Sequence, residues 1–247
     1  MGLLASEFRR FRSRRLAWVF TGLSVLTIAV AGVIVSTTQE FALEGLPEVL
    51  MGTSLILISV GWVLGASAIG AEWHSGHMTT VLTWETRRGR VIGAKAFACL
   101  ASVFVLTFTL QMLLGAVLSV AAEVRGSTAG VNLAWLTETA GVAFRVSLLS
   151  AVFAGFGFGL ASIGRNSAVA LGVGFGYLVI VENLVRGLRP RWMPWLLTEN
   201  AALFIIDLPR DFPLLGRSTV DAGIYLCAVT AVLLLAAAGL FRVRDVN

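Results

Sequence analysis

One polar stretch interrupts the apolar runs of this chain: EWHSGHMTTVLTWETRRGRVIGAK, residues 72–95. It carries net positive charge and holds both histidines, the only lysine and three of the arginines. Of the 247 residues, 57% are hydrophobic and 13% charged, whereas globular domains have about 25% charged residues. Apolar runs of about 20 residues, enough to cross a bilayer core as a helix, lie on both sides of the stretch. The sequence therefore predicts an all-α, polytopic membrane protein.

The distribution of charge predicts the topology of the spans. Lysine and arginine collect in cytoplasmic loops, which places residues 72–95 in the cytoplasm. Residues 37–48 contain three glutamates and no basic residue, as is expected of an external loop. The formal charge of +5 is therefore explained by topology, and we expect no nucleic-acid partner. We predict a single transmembrane domain over 1–247, without a separate soluble domain and with both termini cytoplasmic. Its six spans are predicted at 16–36, 49–70, 96–121, 139–163, 167–185 and 221–241.

Two segments outside the spans are predicted to lie at the membrane surface. In residues 1–15, Phe8 and Phe11 fall on one side of a helix, and Arg9 and Arg12 fall mostly on the other. That pattern is typical of an amphipathic interfacial helix, although a plain positive-inside anchor would also explain it. Residues 192–206 are too short and too interrupted to span, which favours a re-entrant or interfacial helical segment between spans five and six.

The sequence lacks a recognisable catalytic, metal-binding or nucleotide-binding motif. There is no Gly-x-x-x-x-Gly-Lys-Ser/Thr phosphate loop, so we expect no cofactor in this chain and no enzymatic activity of its own. Glu72, His74 and His77 have the spacing of a helical metal site, but the basic residues nearby oppose a cation, and we expect no metal. Two glycine-rich motifs, at 155–159 and 172–176, lie inside apolar runs and are predicted to pack helices together.

Four charged or amide residues well inside the predicted spans are candidates for a role in the membrane. Arg145 and Glu182 lie several residues from the external ends of spans four and five, where an isolated charge is costly. We hypothesise that they pair across adjacent helices; separate snorkelling to the outer interface is the alternative. Gln111 and Asn183 are candidates for lining a polar path.

The stretch 72–95 resembles the first cytoplasmic loop of the membrane (permease) subunits of ATP-binding-cassette (ABC) type-2 transporters, especially the small bacterial ones. The resemblance rests on a glutamate, a glycine, an apolar-polar run, a basic corner and a lysine entering the next span. His77 stands where threonine is usual, and Thr86 where proline is common. The six-span layout, the basic start and the insert before span six also fit this family. The positions that carry the resemblance are Glu72, Gly76, 79–83, 87–90 and Lys95.

The resemblance implies a permease that dimerises, with a like or an unlike copy, in the bacterial cytoplasmic membrane. It would dock a separate ATPase subunit, which binds ATP and Mg²⁺, and export an amphipathic or hydrophobic substrate such as a drug, peptide, lipid or glycan precursor. In such a protein residues 75–84 would form a coupling helix that fits a cleft in the ATPase. The residues expected to carry this coupling are Glu72, Ser75, Gly76, Thr79, Thr80, Leu82, Arg87, Arg88 and Lys95.

Other functional classes agree less well with the residues. An ion-coupled secondary transporter would predict clustered carboxylates at the membrane midplane and an internal repeat, and neither is visible. A membrane-embedded enzyme would need an acid, a base and a nucleophile at one depth. A sensor or assembly subunit that transports nothing is a further alternative for the protein. For residues 72–95 themselves, the alternative is a plain solvated connector between two spans.

Overall fold

The structure, a computed structural model, describes residues 2–38, 41–75, 88–206 and 216–243. Within those residues, 90% of the chain is helical and none of it forms a strand. The α-helices, labelled in chain order, are α1 (Leu3–Arg12), α2 (Arg15–Thr38), α3 (Leu46–Gly52), α4 (Ser54–His74), α5 (Arg88–Arg125), α6 (Leu133–Gly164), α7 (Ser167–Gly176), α8 (Glu182–Leu188), α9 (Leu197–Ile206) and α10 (Thr219–Val243). Two 3₁₀-helices, Leu43–Gly45 and Pro190–Trp195, and one π-turn, Tyr177–Val181, connect them.

Among the residues that the structure describes, six helical segments are long and apolar enough to cross a membrane. α3 and α4 together form the second of these segments, and α7, the π-turn and α8 form the fifth. This confirms the predicted all-α membrane class with six spanning helices. The chain is therefore a multi-pass membrane protein. α1 and α9 have 10 residues each, too few to cross a bilayer core.

The third spanning helix is much longer than predicted. α5 has 38 residues, about 57 Å at 1.5 Å per residue, against a hydrocarbon core of about 30 Å. It begins at Arg88, well before the predicted start at residue 96. The prediction followed hydropathy, which changes where the membrane core ends, whereas the backbone hydrogen bonds of a helix continue into the aqueous region. Lys95 therefore lies inside a helix and not in a loop.

α6 is the central helix of the bundle. Of its apolar stretch 83% is buried, whereas α2 buries 11% of its own. α4 lies against α6 with backbone touching backbone, because a Cβ atom at Gly61 or Gly65 would collide with the carbonyl groups of Ser150 or Ala154. Small residues allow this approach, which contributes dispersion contacts that hold helices together in lipid.

The predicted packing role of the two glycine motifs holds for one of them and only partly for the other. In α6, a Cβ atom at Gly155 would meet Thr230, and one at Gly157 would meet the backbone of α4. In α7, only the central glycine, Gly174, lies against a neighbour, the ring of Trp62. Gly172 has open space around it, so the motif spacing alone did not identify the packed positions.

The bundle has two ends with different polar contacts. The amino-terminal face is defined here as the end that carries α1, the start of α2, the end of α4 and the start of α5. At the opposite face, the Arg125 guanidinium donates a hydrogen bond to the carbonyl of Thr37 at 3.0 Å. There the indole of Trp135 also donates to the carbonyl of Leu43, at 3.1 Å.

Candidate functional site: a buried charge cluster on the amino-terminal face

Five charged side chains converge on the amino-terminal face and form what we call the charge cluster: Glu7, Arg10, Arg14, Glu72 and Lys95. The Lys95 ammonium donates to both carboxylate oxygens of Glu7, at 2.9 and 3.0 Å. It also forms an ion pair with Glu72 Oε2 at 2.7 Å. Arg14 donates to Glu72 Oε1 at 3.1 Å, and Arg10 lies 3.7 Å from the same oxygen. The cluster thus joins α1, the α1–α2 connection, α4 and α5.

The cluster is withdrawn from water. Lys95, Glu72 and Glu7 are 4%, 6% and 7% exposed. A buried charge is tolerated only when it is paired, and removing one partner of such a pair is strongly destabilising. The two carboxylates balance Lys95 and Arg14, so the buried part is close to neutral. A cavity of about 20 Å³ lies within the cluster, room for one water molecule.

Arg14 also fixes the backbone at the end of α4. Its guanidinium donates to the carbonyls of Ser67 and Ala68, at 3.0 and 2.5 Å, in addition to its bond with Glu72. Both carbonyls lie inside α4, and a carbonyl oxygen has two lone pairs, so each can accept from Arg14 in addition to an amide of its own helix. The chain between α1 and α2 is therefore tied to α4 through three separate acceptors.

The predicted coupling residues divide into three groups. Glu72 and Lys95 lie in the charge cluster. Ser75 directly follows α4, and its hydroxyl donates to the carbonyl of Glu72 at 3.4 Å. Arg88 is the first residue of α5. The remaining ones lie outside the described residues: Gly76, Thr79, Thr80, Leu82 and Arg87.

The predicted residues of the N-terminal helix lie on two sides of α1. Phe11 is buried, and Phe8 contacts Phe97 of α5 edge-to-face, with ring centroids 6.4 Å apart. Arg9 and Arg12 are exposed. The sequence pattern did not single out Glu7, the one acidic residue of this segment. Glu7 falls on the apolar side of α1, and an acidic residue in that position could have indicated a buried ion pair.

Glu182 is fully buried near the opposite face, and its cationic partner is on its own helix. Glu182 Oε2 lies 3.4 Å from Arg186, one turn later. Its Oε1 accepts hydrogen bonds from the backbone amides of Leu197 and Thr198, at 2.9 and 3.3 Å. The carboxylate also accepts from the Thr198 hydroxyl. Glu182 therefore caps the N-terminus of α9, where a negative charge is favourable.

The contacts given for the Glu182 carboxylate are those with Arg186, Leu197 and Thr198. Arg186 can reach it because i and i+4 side chains share a face. Arg145 lies in the wall of a groove shared by α6, α9 and α10. The pairing of Arg145 with Glu182 stays a prediction.

The candidates for a polar path have structural contacts. Gln111 is buried where α3 breaks from α4, and its amide donates to Thr53 Oγ1 at 3.0 Å and to the carbonyl of Leu50 at 3.4 Å. The Leu50 carbonyl also accepts from the backbone amide and the hydroxyl of Thr53, at 3.2 and 2.8 Å, so Gln111 adds a link from α5 to the helix break. Asn183 is exposed and donates to the carbonyl of Val179 at 2.8 Å.

Replacing Glu182 with alanine should loosen the start of α9. The substitution leaves two buried amides without their acceptor, which costs about 1–3 kcal/mol locally. Amide hydrogen exchange at Leu197 and Thr198 should accelerate about tenfold or more. Glu199→Ala is the matched control, because Glu199 contacts the same Arg186 at 2.6 Å but is more exposed and caps nothing. Equal exchange in the two variants would contradict the capping role.

No family model matches the chain, and no curated protein matches it either. The class is therefore defined by the fold and the site: a multi-pass α-helical membrane protein whose charge cluster joins α4 and α5, the helices on either side of residues 76–87.

Proposed function

We propose that this chain is the membrane subunit of an ABC transporter, in which residues 75–84 form a coupling helix for a separate ATPase. The observation that carries the proposal is the charge cluster. Glu72 lies four residues before residues 76–87, Lys95 lies eight residues after them inside α5, and the two side chains are in direct contact. Both also reach the segment before the first span, through Arg14 and Glu7.

A coupling element must pass a small displacement on to the spans without absorbing it. A flexible connector would lose the motion, whereas packed, bistable elements transmit it. Here a movement of residues 76–87 would act on α4 and α5 together, because Lys95 holds Glu72 at 2.7 Å. Through the 2.9 Å contact of Lys95 with Glu7, the same movement would also reach α1. A plain solvated connector has no need of such buried ion pairs, since they cost desolvation energy.

The proposal assigns the amino-terminal face to the cytoplasm. Exposed arginines on this face include Arg9, Arg12 and Arg15, and positive charge accumulates on the cytoplasmic side. α1 then lies as an interfacial helix, and α9 lies at the external side as a re-entrant or interfacial element. The membrane would be the bacterial cytoplasmic membrane, with both termini inside.

The active transporter would contain two permease copies and two ATPase copies. ATP and Mg²⁺ would bind only to the ATPase subunits, and closure of the ATPase pair would move the coupling helices. The substrate class proposed is an amphipathic or hydrophobic molecule, exported through a path between the two permeases. This substrate class is what the resemblance of residues 72–95 to such permeases implies.

The test is to purify the affinity-tagged chain from native membranes and to identify any ATPase that accompanies it. We expect a subunit with a phosphate-binding loop, and an ATP turnover that the permease stimulates. Arg87→Glu should reduce both co-purification and stimulation about three- to tenfold, because it places a negative charge where the ATPase is expected to present acids. Arg191→Glu, an exposed arginine on the opposite face, is the matched control.

Two results would overturn the proposal. One is that no ATPase accompanies the intact chain under crosslinking conditions. The other is that Arg87→Glu and Gly76→Leu leave co-purification and stimulated turnover equal to those of the control. Substrate movement that continues without ATP and follows an ion gradient would indicate a secondary transporter instead.

A further inference from the structure

A large groove opens beside the charge cluster, between α1, α2 and α5. Its volume is about 820 Å³, within the range of about 300–1,000 Å³ that is typical of small-molecule sites. From Ala101 to Thr109 its wall follows α5 for about 12 Å along the helix axis. The groove therefore runs from the amino-terminal face into the depth of the first and third spans. Its apolar walls include Phe8, Phe11, Trp18, Ala101, Val105 and Leu106.

Three hydroxyl groups lie in the wall, those of Thr21, Ser102 and Thr109. The hydroxyl of Thr21 donates to the carbonyl of Ala17 at 2.7 Å, and that of Thr109 donates to the carbonyl of Val105 at 2.8 Å. These two hydroxyls thus have their partners on their own helices. A hydrocarbon chain is the ligand that suits such a surface, because it buries apolar area and leaves no hydrogen bond unmade.

The mouth of the groove is positively charged. Arg12 lines it and is exposed, and Arg9 and Arg15 are exposed on the same segment. The only acid in residues 2–15 is Glu7, which is buried against Lys95. The solvent side of the mouth therefore presents basic groups without a competing carboxylate from this segment.

The mouth and the wall are joined by a hydrogen bond. The indole of Trp18 donates to the backbone carbonyl of Arg12 at 2.7 Å, across the turn between α1 and α2. The Trp18 ring is 58% exposed, as is usual for an aromatic side chain at the level of lipid headgroups. This contact fixes the backbone at Arg12, whose side chain lines the entrance of the groove above the apolar wall.

We infer that this groove is a binding site for an anionic phospholipid. An acyl chain lies along α5 between Trp18 and Val105, and the phosphate-bearing headgroup lies beside Arg12. The complementarity of charge selects an anionic headgroup over a zwitterionic one, because basic residues at a membrane surface attract acidic lipids. The inference does not depend on the proposed transport function, since it rests on the groove and its charge alone.

Native mass spectrometry of the purified full chain in detergent tests the headgroup. Phosphatidylglycerol and phosphatidylcholine with identical acyl chains are offered together at equal concentration. We expect phosphatidylglycerol adducts to dominate, and Arg12→Gln to weaken phosphatidylglycerol binding about fivefold, the effect of one basic residue near the surface. Arg191→Gln, on the opposite face, should leave the preference unchanged. Equal binding of the two lipids, or equal effects of the two substitutions, would overturn the inference.

A second pair of variants tests the acyl-chain position. Val105→Trp fills the groove, and Val173→Trp adds the same bulk to α7, outside the groove. Both valines are exposed, at 61% and 54%, so neither change disturbs the core. Val105→Trp should reduce adducts of both lipids, and Val173→Trp should not. If Val105→Trp changes the oligomeric state and leaves lipid adducts unaffected, the groove is a protein contact and the inference is wrong.

Discussion

Replacing Lys95 with methionine should lower the thermal melting temperature of the purified protein by about 10 °C or more. Lys95 is the cation closest to both Glu7 and Glu72, at 2.9 and 2.7 Å. Without it Arg10, at 3.5 Å, is the one cation among the described residues that still pairs with Glu7. Leaving a buried charge unpaired costs about 3–5 kcal/mol, which corresponds to such a shift in a chain of this size. Melting followed by size-exclusion chromatography in detergent measures it.

Two further variants distinguish the effect of losing the ion pair on the melting temperature from the effect of losing the side chain itself. Arg191→Met removes an exposed cation with a similar change in polarity and should shift the melting temperature by about 2 °C or less. Glu7→Gln combined with Lys95→Met should recover most of the loss, because Glu72 still has Arg14 at 3.1 Å. A double variant no better than Lys95→Met alone would show that the buried charge of Glu7 is not the cause.

The second large effect is expected at the contact between α4 and α6. Gly65→Ala places a methyl group against the backbone carbonyl of Ala154. A backbone group cannot rotate away as a side chain can, so the two helices must separate. Overpacking of this kind costs about 1–3 kcal/mol, and it falls on the helix that forms the centre of the bundle. The melting temperature should fall by about 2–12 °C.

Gly172→Ala is the matched control for this substitution. It adds the same methyl group to α7, also inside a span, but no neighbouring atom lies within 4 Å of the new Cβ atom. A glycine-to-alanine change in a helix without a clash stabilises by about 0.4–1 kcal/mol. The two variants should therefore shift the melting temperature in opposite directions. A fall of equal size in both would mean that close backbone packing is not what Gly65 provides.

The fold class and the number of spans could be predicted because both follow from hydropathy alone. A run of about 20 apolar residues has few alternatives to a spanning helix. Helix ends could not be predicted in this way, and α5 begins at Arg88, well before residue 96. Glu72 and Lys95 were recognised as important residues of the polar stretch, but Glu7, which pairs with Lys95, was not. That contact joins residues 88 positions apart, and no local spacing rule reaches so far.

The partner of Glu182 shows the same limit. The cost of burying its charge was evident from the sequence, which is why a partner was expected. The hydrogen-bond donors of this carboxylate depend on how the chain after α8 turns back, since that turn brings Thr198 and the start of α9 to Glu182. Arg186 was available four residues later, but periodicity does not distinguish it from a cation on another helix.

By itself the sequence determined that this chain is an all-α membrane protein with six spans and one long basic stretch. The partition of a segment between water and lipid depends on the residues of that segment and not on contacts with distant parts of the chain. The tertiary structure alone decided that the two ends of that stretch meet each other and the segment before α2 in one buried cluster. Ion pairing needs atoms within about 4 Å, and only helix packing brings Glu7, Glu72 and Lys95 so close. The groove beside the cluster follows from the same packing, since three helices must meet to form its walls.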